Sequence, residues 1–156
     1  MKRAFAPFAL VAAAVFVFAV VNATASDKPK TEAGAVHVIE HATSDAVTNG
    51  SADDAAGNVL TFANDVFDSA DQSKVGSDQG YCVRIVVGKT WECNWTTFLS
   101  GGQITVEGPF SDTGNTVLAI TGGTGTYRNA RGWMELDYHN AAGTAFDFVF
   151  HLHGGD

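Results

Sequence analysis

The sequence predicts an all-β protein: an eight-stranded antiparallel β-barrel of lipocalin-like shape, preceded by an export signal. Three observations carry this expectation. Beyond residue 35 the chain breaks into about eight short runs rich in β-branched and aromatic residues, spaced by Gly, Asp and Asn turns. Nothing in that region has helical period. The stretch Gln79–Phe98, QGYCVRIVVGKTWECNWTTF, reads as a hairpin turning at Val87-Gly88-Lys89. Its alternation places Cys82, Arg84, Val86, Trp91, Cys93 and Trp95 on one face, taken as interior, with Cys82 opposite Cys93 and Arg84 opposite Trp91.

Met1–Ala25 is a signal peptide by pattern. Lys2 and Arg3 form a basic start, Phe8–Val21 is apolar and uncharged, and Ala23-Thr24-Ala25 offers a cleavage site. The apolar run is short for a bilayer-spanning helix of about 20 residues, so a secreted, extracellular product is expected, with no membrane association after cleavage. Ser26–Ala35 is polar and carries Pro29, a flexible leader. Residues 36–156 form a single domain, long enough for one core and too short for two. Removing Lys2 and Arg3 changes 9 basic against 17 acidic side chains to 7 against 17, a formal charge of −10. That balance argues against nucleic acid and anionic membrane as partners.

The strands follow in order. Val36–Ala42 alternates as a first strand, and Thr43–Gly57 is acidic and small, a lid over the rim or a disordered loop. Asn58–Asp68 is the second strand and Ser69–Asp78 a polar loop. The hairpin supplies strands three and four. Gln103–Gly108 comes next and ends at Pro109, which has no N–H for a ladder. Asn115–Thr121, a glycine-rich corner at Gly122–Gly132, and a last hairpin of Trp133–His139 with Thr144–His153 complete the sheet. Sequential turns favour a meander, and closing it removes the edges.

Two cysteines at facing positions in an exported chain imply an oxidising compartment and one disulfide, Cys82–Cys93; a reactive free thiol at Cys82 is the alternative. Trp91, Trp95 and Phe148, the last flanked by Phe146 and Phe150 on one face, either line a pocket for a small hydrophobic ligand or fill the barrel. Arg84, pointing inward, needs a carboxylate: a structural ion pair with Glu40, Glu107, Glu135 or Asp137, or a ligand's carboxylate. His37, His41, His151 and His153 would meet if first and last strands pair, yet no recognised ligand spacing accompanies them. They read as terminal, solvated histidines, and no metal is expected.

Three blocks in colinear order resemble the allene oxide cyclase and dirigent barrel superfamily. They are LTFANDVFD at Leu60–Asp68 with VGSDQGYCVRIV at Val75–Val86, GGQITVEGPF at Gly101–Phe110, and LAITGGTGTYRNARGWMEL at Leu118–Leu136. The resemblance implies an eight-stranded barrel around an apolar cavity. It also implies an isomerase-type activity, in which a lipid or phenolic intermediate is confined so that cyclisation or coupling gives one stereoisomer. Carried over by position, Cys82 falls on the cyclases' pocket cysteine and Asn64 on an asparagine of the preceding strand. Glu40, with Val38, falls on the two polar positions of the first strand. Catalytic positions are thus Glu40, Asn64 and Cys82, and ligand contacts Arg84, Trp91, Trp95 and Phe148, with no cofactor. Members of the superfamily assemble as dimers or trimers, which leaves a homo-oligomer open. The rival reading is a non-catalytic extracellular binding module with a filled barrel.

Overall fold

The computed structural model describes residues 32–153. The expected signal peptide and leader residues 26–31 lie outside this range. The described chain is β-sheet apart from turns and one 3₁₀ turn at Gly125–Tyr127. The strands are β1 (Glu32–His41), β2 (Ala46–Asn49), β3 (Val59–Asp68), β4 (Lys74–Val86), β5 (Thr90–Leu99), β6 (Gly102–Ser111), β7 (Thr116–Gly123), β8 (Arg131–Tyr138) and β9 (Ala145–His153). Every pairing is antiparallel, and β3 through β9 are joined neighbour to neighbour. β1 then pairs with β9 on one side and with β3 on the other, closing an eight-stranded barrel with β2 outside the ring.

The seam is made by β3, which is long enough to serve two partners along one edge. Its second half, Asp65–Asp68, pairs with β1 at Val38–His41, and its first half pairs with β2. Four sequence expectations change here. Residues 32–35 belong to β1 rather than to a leader. Thr43–Gly57 contains β2 and is tied down: the Asn58 side chain accepts the Ser51 N–H at 2.8 Å and donates to the Ser51 and Asp53 carbonyls. The expected loop Ser69–Asp78 ends early, because β4 begins at Lys74. Pro109 lies within β6, opposite Glu92, where the pairing to β7 has already stopped at Glu107, so the missing N–H leaves no ladder incomplete on that side.

The hairpin register is as expected, with Cys82 opposite Cys93 and Arg84 opposite Trp91. Gly88 turns at a φ of 66°, which its lack of Cβ permits. A register shift between Arg84 and Val86 rotates Val86 outward, where it is 44% exposed, so this one residue leaves the interior face. Inside, Val38, Val66, Trp95, Ile104, Val106, Leu118, Met134, Leu136, Phe148 and Phe150 form one continuous core. Gly80 makes room for Trp95: a Cβ there would lie 2.3 Å from Trp95 Cβ. Across that gap the rings of Phe62 and Trp95 meet edge-on at 6.0 Å, and Trp95 packs at 5.5 Å on Phe148.

Candidate functional site

The core does not fill the barrel completely. An inner cavity of about 50 Å³ is lined by Leu60, Phe62, Cys82, Trp91, Cys93, Trp95, Phe110, Leu136, Phe146 and Phe148, with Glu40 and Asp45 as its only ionisable groups. It shares Asp45, Leu60, Trp91, Phe110 and Phe146 with an open vestibule of about 430 Å³, completed by Asp112, Tyr138 and the turn Ala141–Gly143. The two form one funnel, wide at the mouth and narrow at Glu40.

β1 delivers Glu40 because alternation turns Val38 and Glu40 inward, opposite Phe148 and Phe146. The carboxyl is 5% exposed and so must be partnered. Asn64 Nδ2 donates to Glu40 Oε1 at 2.8 Å and to Asp45 Oδ1 at 2.7 Å. Asn64 Oδ1 accepts the backbone N–H groups of Thr43 and Ser44 and the Ser44 hydroxyl, each at 3.0 Å. On β4, directly opposite Asn64, sits Asp78, which is 2% exposed and takes the Asn64 N–H at 3.3 Å on Oδ1.

Glu40 and Asp78 hydrogen-bond to each other. Burial first, then the neighbouring Asp78 charge, hold the Glu40 carboxyl well above the usual carboxylate range. Burial likewise pushes Asp78 up to about 7, against the lowering effect of its bond from Glu40. The two therefore share a proton near neutrality, with Glu40 the donor and Asp78 the acceptor. Trp95 Nε1 has no protein partner, and its indole belongs to the cavity wall.

The structure places the sequence-derived candidates unequally. Glu40, Trp91, Trp95 and Phe148 line the cavity. Asn64 does not, because its polar atoms are committed to Glu40, Asp45 and the Thr43–Ser44 backbone. It positions the acid instead. Cys82 lines the cavity but is bonded to Cys93 with Cα atoms 4.0 Å apart, so it has no thiol to offer as a nucleophile. Arg84 faces the mouth, and none of the expected carboxylates meets it. Its Nη1 bonds Asp112 Oδ2 at 2.5 Å, its Nε lies 2.7 Å from Asp54 Oδ1 without hydrogen-bond alignment, and its guanidinium stacks 3.8 Å from the Trp91 ring centroid. Trp91 Nε1 donates to the other Asp112 oxygen at 3.0 Å.

The histidines do not gather. His37, His41, His151 and His153 sit on the outside of the sheet. His37 pairs with Asp147 at 2.7 Å, His41 with Asp71 at 2.7 Å, and His151 lies 3.4 Å from Glu135 and stacks on Trp133. They are engaged rather than freely solvated, and among the described residues no cluster of three metal-ligating side chains forms.

Asp45, Asp78 and Asp112 are the functional side chains that sequence reasoning misses. Asp78 was within reach of it: Asp78, Gly80, Cys82 and Arg84 continue one period-2 face. The polar composition of Ser69–Asp78 reads as loop and stops the alternation two residues early.

The fold and the cavity define the class: a closed eight-stranded antiparallel barrel with an apolar funnel narrowing onto a buried carboxyl pair. The chain belongs to the allene oxide cyclase family, which it matches over residues 33–154. Solved structures share the fold. A pyocyanin demethylase is 22% identical, with 74% of this chain and 99% of that chain covered at a TM-score of 0.60. A pterocarpan synthase dirigent protein is 17% identical, covering 79% and 88% at 0.68. An exo-specific intermolecular Diels-Alderase is 19% identical, covering 78% and 98% at 0.63. These likenesses are of fold.

Proposed function

We propose that this chain is a secreted barrel that binds a small hydrophobic ligand, lipid or phenolic, and directs either its stereoselective cyclisation, an isomerase-type activity, or its coupling. The observation that carries the reading is the Glu40–Asp78 pair at the narrow end of an otherwise apolar funnel. A protonated carboxyl kept in an apolar site can donate to an oxygen on which negative charge develops. Asp78, behind it, takes part in holding and returning the proton. Trp91, Trp95 and Phe148 confine the carbon framework, and the unpartnered Trp95 N–H favours a ligand that carries an oxygen acceptor. The Cys82–Cys93 bridge fits an extracellular setting.

The inner cavity alone is far below the roughly 300–1,000 Å³ of ordinary ligand pockets. The ligand therefore lies mostly in the vestibule and presents only its reacting end to Glu40. The same narrowness favours a second reading, a binding module without catalysis. Native mass spectrometry of the secreted protein separates the possibilities when combined with Glu40→Gln. A co-purified small molecule that wild type converts to one stereoisomer, and that Glu40→Gln retains but converts at least about a hundredfold more slowly, supports the enzyme. Retention with no conversion by wild type supports the module. No small molecule bound by either, at native concentration or on soaking with phenolics and oxidised lipids, removes both.

A further inference from the structure

The charged groups on the funnel wall are all of one sign. Asp45 and Asp112 line the two connected spaces beside the protonated Glu40 and the neutral Tyr138, and no Lys, Arg or His does. Arg84 stands beside the mouth, but Asp54 and Asp112 already engage it, so two carboxylates meet one guanidinium. A ligand carboxylate entering here finds no free cation and passes Asp45 and Asp112 at close quarters, where like charges are costly.

The neutral part of the wall points the same way. Trp91, Phe110, Phe146 and Trp95 present aromatic rings, whose faces attract cations. The protein uses this wall on itself: the planar Arg84 cation stacks on Trp91 with its carbon 3.8 Å from the ring centroid. One buried polar atom of the cavity lining remains without a protein partner, Trp95 Nε1, in a side chain that is 3% exposed. It is a donor that faces no acceptor of the protein.

We infer that the funnel takes a flat aromatic cation, a quaternised or protonated nitrogen heterocycle, with its ring among Trp91, Phe110 and Phe146 and its positive edge toward Asp45. An oxygen on the same ring system answers the Trp95 N–H. This assignment rests on the reading of the funnel as a ligand site and names its small hydrophobic ligand as an aromatic cation rather than a lipid or a simple phenolic.

Three bicyclic probes of similar size and different charge test it by isothermal titration calorimetry against the intact secreted protein: N-methylquinolinium, quinoline and 2-naphthoate at pH 7.5. The expected order is cation first, about tenfold tighter than the neutral ring, with the carboxylate weakest. Added salt weakens the cation and leaves quinoline unchanged. In Asp45→Asn, the cation falls to the affinity of quinoline. If 2-naphthoate binds as tightly as N-methylquinolinium, the charge assignment is overturned while the ligand site stands. If none of the three binds, the ligand site fails and the assignment with it. The wild-type series alone decides this should Asp45→Asn fold poorly.

Discussion

Asn64 shows at the scale of one residue how the acid is held. Two N–H bonds run to Glu40 and Asp45, and its carbonyl oxygen collects three donors from Thr43 and Ser44. With both donors occupied it cannot reorient, and Glu40 cannot leave the cavity wall without orphaning an amide proton. The carboxyl pair has a measurable consequence. Both members have pKa values raised above the ordinary 4 or so, so the folded state keeps a proton that the unfolded chain has released. The sign follows: the pair's contribution is complete below about pH 4 and is lost as pH rises through about 7, at about 1.4 kcal/mol per pH unit for one proton. Asp78→Asn removes one titrating group while keeping an oxygen for the Asn64 N–H. Its melting temperature is expected to depend less on pH between 4 and 8, and to exceed wild type at pH 8. A larger loss at pH 8 than at pH 5 would falsify the shared-proton account.

At the scale of the element, the β4–β5 hairpin is where sequence and structure agree best. Its β-branched runs leave one place for a turn, and with the turn set, every pairing from Arg84–Trp91 back to Gly76–Leu99 follows. Alternation works there because one face is core. It fails at Ser69–Asp78 and Thr43–Gly57 because the residues facing inward or tying the loop down are aspartates and small polar side chains, whose partners are remote in sequence. Asp54, for example, finds Arg84 and the Gly88 N–H only in the folded barrel. The disulfide lies between residues already paired and spans 11 positions, so the loop it closes in the unfolded chain is short. Reduction, or Cys82→Ala with Cys93→Ala, is expected to cost roughly 2–3 kcal/mol in chemical denaturation and to widen the wall beside Trp91 and Trp95. Unchanged stability on reduction would mean the hairpin needs no bridge.

For the whole molecule, closure depends on β1. It completes hydrogen bonding for both β3 and β9, brings Val38 and Ile39 into buried positions, and carries Glu40 to the site. A chain beginning at Glu32 retains every described strand and is expected to fold. One beginning at Ala42 leaves two long edges exposed and is expected to aggregate. Size-exclusion chromatography and far-ultraviolet circular dichroism of the two truncations distinguish these outcomes. The ring itself was legible in the sequence as a count of short strands and turns. The seam was not, because it depends on one strand dividing a single edge between two partners, and that division has no local signature.

That divided edge links occupancy of the funnel to the integrity of the ring. Between β1 and β2 the chain passes from one stretch of the β3 edge to the next at Ala42–Asp45, and there Thr43, Ser44 and Asp45 meet Asn64. Any breathing of the seam therefore dismantles the acid site in the same motion. A ligand that needs Glu40 and Asp45 binds only the closed ring, so it resists seam opening by the factor one plus its concentration over its dissociation constant. Amide exchange along Val38–His41 and Asp65–Asp68 becomes a gauge of ligand affinity that requires no assay of the chemistry.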